Sequence, residues 1–182
     1  MVLTESAVKL HKGEKAPDFH LQGIDGKIHS LDKFSGMEGL LVIFMCNHCP
    51  YVKAKIDTLI KLHEKFGDRI AVAGINSNDP EYPEEGMDNM KDFAAERGIR
   101  FSYLLDDTQE IAKSYGATCT PDPFLFDKEM KLAFHGRIDD AFQPGDTPTE
   151  YTMANNIQKM LNGEKLDEEF KPSMGCSIKW TP

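Results

Sequence analysis

The sequence predicts an α/β fold: a central mixed β-sheet flanked by helices, with an N-terminal β-hairpin and a helical insertion. Three observations carry this expectation. Leu40-Leu41-Val42-Ile43-Phe44-Met45 is apolar without alternation, as a strand buried on both faces requires. The period changes directly after Pro50, where Val52, Ile56, Leu59, Ile60 and His63 share one helical face and Gly67 stands at the C-terminal cap position. Ile70 to Ile75 then repeats the strand pattern, giving a strand–helix–strand unit whose crossover in a parallel sheet is right-handed.

The remaining elements follow in order. Ala16-Pro17-Asp18-Phe19 reads as an extended segment, and Ile24-Asp25-Gly26-Lys27 as the Asp-Gly turn of a hairpin. Asn76 to Gly86 is rich in Asn, Asp, Pro and Glu and predicts a long surface loop, with Glu81 to Glu85 solvated. Met87, Met90, Phe93 and Ala94 mark a helix ending near Gly98, and Phe101 to Leu105 a short strand. A short helix from Thr108 to Tyr115 stops at Gly116. Phe124-Leu125-Phe126-Asp127 and Leu132-Ala133-Phe134, separated by so short a turn, form an antiparallel hairpin. Thr147-Pro148-Thr149-Glu150 predicts the start of the last helix: a capping hydroxyl, proline at the first position and Glu three residues after the cap. That helix runs to about Leu161. The domain organisation expected is an N-terminal segment over 1–13, one domain over 14–163 and a C-terminal tail over 164–182 packed on the domain.

A chain of 182 residues holds one domain with a proper core. The formal net charge of −9 speaks against nucleic acid or an anionic membrane as partner, since both need clustered Lys and Arg. Met1 to Gly13 carries no apolar stretch of signal-peptide length, and the longest apolar run is far below the ~20 residues that cross a bilayer. A cytoplasmic protein is the expectation. There thiols stay reduced, so the four cysteines point to catalysis, redox sensing or metal binding rather than to structural disulfides.

The chemistry concentrates in Cys46-Asn47-His48-Cys49-Pro50, at the junction of the buried strand and the helix start. Unpaired N–H groups and the macrodipole favour an anion there, so a thiol at that place loses its proton more easily and gains nucleophilicity. Pro50 suits the first helical position, which makes Cys49 the cap residue and leaves Cys46 in the turn. His48 is placed to supply a proton or stabilise a thiolate, or else is a solvent-facing loop residue.

These motifs resemble the thioredoxin-like redoxins, in the branch of alkyl hydroperoxide reductase and thiol-specific antioxidant proteins. The resemblance rests on Ala16-Pro17-Asp18-Phe19, Asp25-Gly26-Lys27, Phe44-Met45-Cys46-Asn47-His48-Cys49-Pro50 and Thr120-Pro121. The ending Gly175-Cys176-Ser177-Ile178-Lys179-Trp180 resembles that of a peroxiredoxin-like subgroup. It implies a thioredoxin fold and a cis Thr120–Pro121 bond facing the active cysteine. Counted from Phe44, the attacking thioredoxin cysteine corresponds to Cys49, the second cysteine position to Val52, and the buried acid to Ile43. In the peroxiredoxin pattern Cys49-Pro50 matches the Cys-Pro. Cys46 stands at the position of the hydroxyl residue, Val42 at that of the proline, and Pro121 roughly at that of the arginine.

The resemblance implies thiol–disulfide exchange at Cys49, with Cys46 or Cys119 as resolving thiol, or reduction of hydroperoxides by the same cysteine. Thr120, Pro121 and Pro50 are the residues expected to meet substrate. The partners implied are protein or small-molecule disulfides, or hydroperoxides, and a thioredoxin- or glutathione-type reductant. No cofactor is needed, and the chain is a monomer or homodimer. A module of another class, zinc-binding or redox-sensing, would use Cys46, His48, Cys49 and Cys119 as ligands. Cys119 is alternatively a small buried apolar residue. Cys176 belongs either to a tail folding back on the site or to one held by Ile178 and Trp180.

Overall fold

The computed structural model describes residues 3–182. In chain order the strands and helices are β1 (Leu3–Glu5), β2 (His20–Gly23), β3 (Ile28–Ser30), β4 (Gly39–Phe44), α1 (Pro50–Phe66), β5 (Ile70–Asn76), α2 (Met87–Arg97), β6 (Ser102–Leu105), α3 (Glu110–Tyr115), β7 (Cys119–Thr120), β8 (Asp122–Asp127), β9 (Leu132–Gly136), α4 (Thr152–Leu161), β10 (Phe170–Lys171) and β11 (Met174–Ser177). Eight strands form one mixed sheet in the order β10-β9-β8-β4-β5-β6-β2-β3. β4 lies at its centre, parallel to β5 and antiparallel to β8. A second, three-stranded sheet has the order β1-β11-β7.

The unbroken apolar run of β4 follows from having two covered faces. Leu41 and Ile43 join the core layer of α1, α2 and α4, with Ile56, Met90 and Ile157. Leu40, Val42 and Phe44 join the opposite layer, with Tyr115, Phe124 and Phe126. Neither face meets water, so alternation has no function there. The hairpin of β2 and β3 turns at Gly26, whose φ of +77° only glycine adopts readily. The helix stops at Gly98 and Gly116 both adopt the left-handed conformation.

Two expectations need correction. The last helix begins at Thr152, not at Thr147, and its cap residue Tyr151 makes no side-chain cap bond. The Asp140 carboxylate accepts the backbone N–H groups of Thr149 and Glu150 at 2.8 and 2.9 Å, which holds that stretch as a loop. The Asn76–Gly86 segment is not a surface loop throughout. Asn76, Ser77, Asn78 and Glu85 are buried. Beyond Gly163 the chain adds β10 to the edge of β9 and β11 between β1 and β7. No helix among the described residues is long and apolar enough to cross a membrane.

Candidate active site at the start of α1

β4 delivers the chain to the carboxyl edge of the sheet, where open α/β folds place their ligands. Cys46 follows in the turn, Cys49 is the N-cap of α1, and Pro50 opens the helix. Across from them Thr120 precedes Pro121 through a cis peptide bond. Thr120 faces both cysteines: its Oγ1 lies 3.2 Å from Cys46 Sγ, and its carbonyl accepts from the Cys49 thiol at 3.4 Å. A further partner of Cys49 comes from the tail. Cys176 Sγ stands 2.7 Å from Cys49 Sγ. All four cysteines are free and buried.

Their acidities diverge. Cys49 is pulled down to about 5: Cys46 donates to it most strongly, burial works against ionisation, and Cys176 and the Val52 N–H of the first helical turn add further donors. Cys46 is pushed well up by its burial, by its bond to Cys49 and by the nearby Glu85 charge. Cys176 is pushed up to about 12, by burial first and then by the Cys49 it donates to. Cys119 is driven far above the ordinary range by burial and by Asp122. The thiol most readily ionised thus sits beside two raised ones, Cys46 and Cys176, that donate to its anionic form. In the ring beneath, Asp122 is held by His135 Nε2 at 2.7 Å, and His135 stacks on Phe124.

Glu85, on the loop after β5, organises the turn. Its carboxylate accepts the backbone N–H groups of Asn47 and His48, both at 3.2 Å, and the side-chain amides of Asn76 at 2.6 Å and Asn78 at 3.3 Å. His48 Nδ1 donates to it as well. Burial alone would raise this carboxyl; the donors, led by His48 and Asn76, outweigh burial and hold it below its ordinary value. Asn47 is tied in turn by Tyr103, whose hydroxyl donates to its Oδ1 at 2.8 Å. A buried acid thus serves this site from the loop, where the strand position carries Ile43.

The residues singled out in the sequence fall into two groups. Cys46, Cys49, Pro50, Thr120 and Pro121 meet at the helix start. His48 is bound to Glu85 and covered by Tyr82, with ring centroids 4.9 Å apart. Cys119 lies on β7 opposite Ser177 and has no hydrogen-bond contact with Cys49. Of the expected zinc ligands, Cys46 and His48 form a set with Glu85, the three offering ligand atoms within 4.8 Å of one another. Glu85 already accepts from five donors there, which satisfies its charge without a cation. Glu85 was hidden among acidic neighbours. The available signal was its loop's place after a strand end beside β4, with two asparagines near it.

Beside the site a shallow cleft passes Tyr51, Pro121, Phe142 and Met174, with the charged Lys55, Arg137 and Asp139 also along it. Phe142 and Tyr51 give it an apolar rim next to Pro121.

Comparison with known proteins fits this architecture. An uncharacterized conserved protein from Geobacillus kaustophilus superposes with a TM-score of 0.94 at 39% identity, covering 100% of this chain and 98% of its own. The thioredoxin domain of a thiol-disulfide oxidoreductase from Bacteroides vulgatus gives 0.61 at 24% identity, over 70% of this chain and 89% of that one. The fold is the thioredoxin fold. Thiol-disulfide oxidoreductase ResA of Geobacillus thermodenitrificans is 27% identical over 123 residues, 66% of each chain. Peroxiredoxin Q, chloroplastic, of Populus jackii is 30% identical over 109 residues, 59% of this chain and 48% of that protein. The chain thus spans about two thirds of the first relative and about half of the second. Residues 12–135 match the AhpC/TSA family model. By that match, over most of its length and all of the Cys46–Pro50 motif, the chain belongs to the AhpC/TSA family.

Proposed function

We propose that the chain is a thiol–disulfide oxidoreductase with Cys49 as its nucleophile. The observation that carries this reading is the state of Cys49: a helix-cap thiol pulled down to about 5, beside the Thr120 backbone. Thiolate attacks a substrate disulfide, forms a mixed disulfide and expels the other half as thiolate. Cys46, kept neutral by burial and by Glu85, is the proton donor next to it. Thr120 lies against the attacking sulfur, and the shallow cleft beside Pro121, with Tyr51 and Phe142 on its rim, is where the neighbouring part of a disulfide substrate would rest. A reducing compartment such as the cytoplasm would return the site to the dithiol form.

A second reading keeps the nucleophile and changes the electrophile to a hydroperoxide, which the likeness to a peroxiredoxin Q supports. The groups acting most strongly on Cys49 are thiols and backbone N–H groups. Single-turnover rates separate the two. Faster thiol loss with oxidised glutathione than with hydrogen peroxide is expected. A faster peroxide reaction passing through a sulfenic acid at Cys49 would make the protein a peroxidase.

A further inference from the structure

We infer that Cys176 is the resolving thiol of this site, carried to it by a tail strand laid along β7. The inference rests on Cys49 being the attacking thiol. Cys176 itself lies outside the segment that matches the family, which ends at residue 135.

Five features place Cys176. β11 pairs antiparallel with β7, in a register that sets Cys176 opposite Thr120, the residue contacting both motif cysteines. Gly175 permits the approach: a Cβ there would meet the Thr120 carbonyl oxygen at 1.9 Å. Past the strand, Ile178 is buried in the core layer of Phe44 and Tyr115. Asn78 Oδ1 accepts from Lys179 N–H and Gln109 Oε1 from Thr181 N–H, at 2.8 and 2.9 Å. On its outer side β11 is paired by β1. The result is the 2.7 Å separation of Cys176 and Cys49 sulfurs, whereas Cys119 makes no such contact. Trp180, exposed, is not the anchor.

The chemistry balances with two thiols and one disulfide. The Cys49 thiolate attacks R–S–S–R′, forming Cys49–S–S–R and releasing R′S⁻. The Cys176 thiol attacks Cys49 Sγ, its proton passing to the departing sulfur, forming Cys49–S–S–Cys176 and releasing RSH. The substrate disulfide gains two electrons and the protein dithiol loses two. The order of events is built in. While Cys49 is anionic, its charge and hydrogen bond hold Cys176 protonated. Capture of the substrate removes these two and leaves burial, the largest cause, so the thiol beside the new bond becomes more acidic. Cys46 stays the neutral donor.

The test uses reduced full-length protein, one equivalent of oxidised glutathione, acid quenching and mapping of linked peptides by mass spectrometry. A Cys49–Cys176 link is expected as the main product. Cys176→Ser should leave glutathione on Cys49, accumulating at least ten-fold over wild type. Cys119→Ser should still yield the Cys49–Cys176 link. A Cys46–Cys49 or Cys49–Cys119 link in the unmodified protein overturns the inference without any variant having to fold. So does clearance of the mixed disulfide by Cys176→Ser at the wild-type rate. Glutathione uptake by Cys49→Ser at the wild-type rate would instead overturn the nucleophile assignment.

Discussion

Removing the Cys46 thiol should slow alkylation of Cys49 and shift its pH profile upward. Cys46 is the strongest of the donors that pull Cys49 down to about 5, so Cys46→Ala raises that value. The size of the effect has a ceiling. At pH 6 a thiol titrating at about 5 is about 90% thiolate, against about 0.3% for an ordinary thiol near 8.5. That is a loss of about 300-fold in reactive species. A more basic thiolate is a better nucleophile, by about 40-fold over this interval at a Brønsted slope of about 0.45. The ceiling is therefore about 8-fold slower at pH 6. Cys176 and the Val52 N–H remain in the variant, so the expected loss lies below it, at about 2- to 6-fold. The assay is the second-order rate of iodoacetamide labelling across pH 4 to 9, with the labelled peptide identified. A wild-type inflection near 8 to 9, or an inflection unmoved by Cys46→Ala, would refute the reasoning.

Other outcomes follow from the same contacts. Gly175→Val forces the tail strand off Thr120, so Cys49, wholly covered in the native protein, should label several-fold faster at pH 7, as competition with a neutral reagent would reveal. Unchanged labelling would mean that the strand is no cover. Glu85→Gln removes a charge that helps keep Cys46 protonated and weakens the bonds to the Asn47–His48 turn. Cys46 should then label at lower pH, with a stability loss of about 2 kcal/mol in urea unfolding. His135→Ala leaves the buried Asp122 carboxyl without its partner and opens a gap against Phe124, at a cost of about 3 kcal/mol. Finally, Cys49 has a folded-state value below the unfolded one. Its thiolate therefore stabilises the fold fully above about 8.5, and the contribution is lost as pH falls to about 5. The stability gap between wild type and Cys49→Ser should widen from pH 5 to 8.5; a gap independent of pH contradicts the low value.

Much of this was legible because it is local. The apolar run Leu40 to Met45, the switch of period at Pro50 and the Asp25-Gly26 turn each impose their structure on a few neighbouring residues. Pro50 alone was enough to place Cys49 at the cap. What stayed hidden depends on partners far along the chain. Thr147 to Glu150 carries every letter of a helix start, yet Asp140 captures its N–H groups first, and tertiary contact overrides the local signal. Glu85 reads as one more acid on a polar loop. Only folding brings the N–H groups of residues 47 and 48 to it, 37 or more positions away in the chain. Cys176 was visible as a cysteine in a tail, but its place over Cys49 is set by strand pairing with β7, which no periodicity in four residues encodes.

The most direct test of the account is single-turnover reduction of a disulfide by Cys49→Ser beside the wild-type protein. Wild type should consume one equivalent of oxidised glutathione and lose two thiols, while Cys49→Ser consumes none within the same interval and keeps its remaining thiols. Normal consumption by Cys49→Ser, with activity lost instead in Cys46→Ser, would contradict it and move the nucleophile to Cys46.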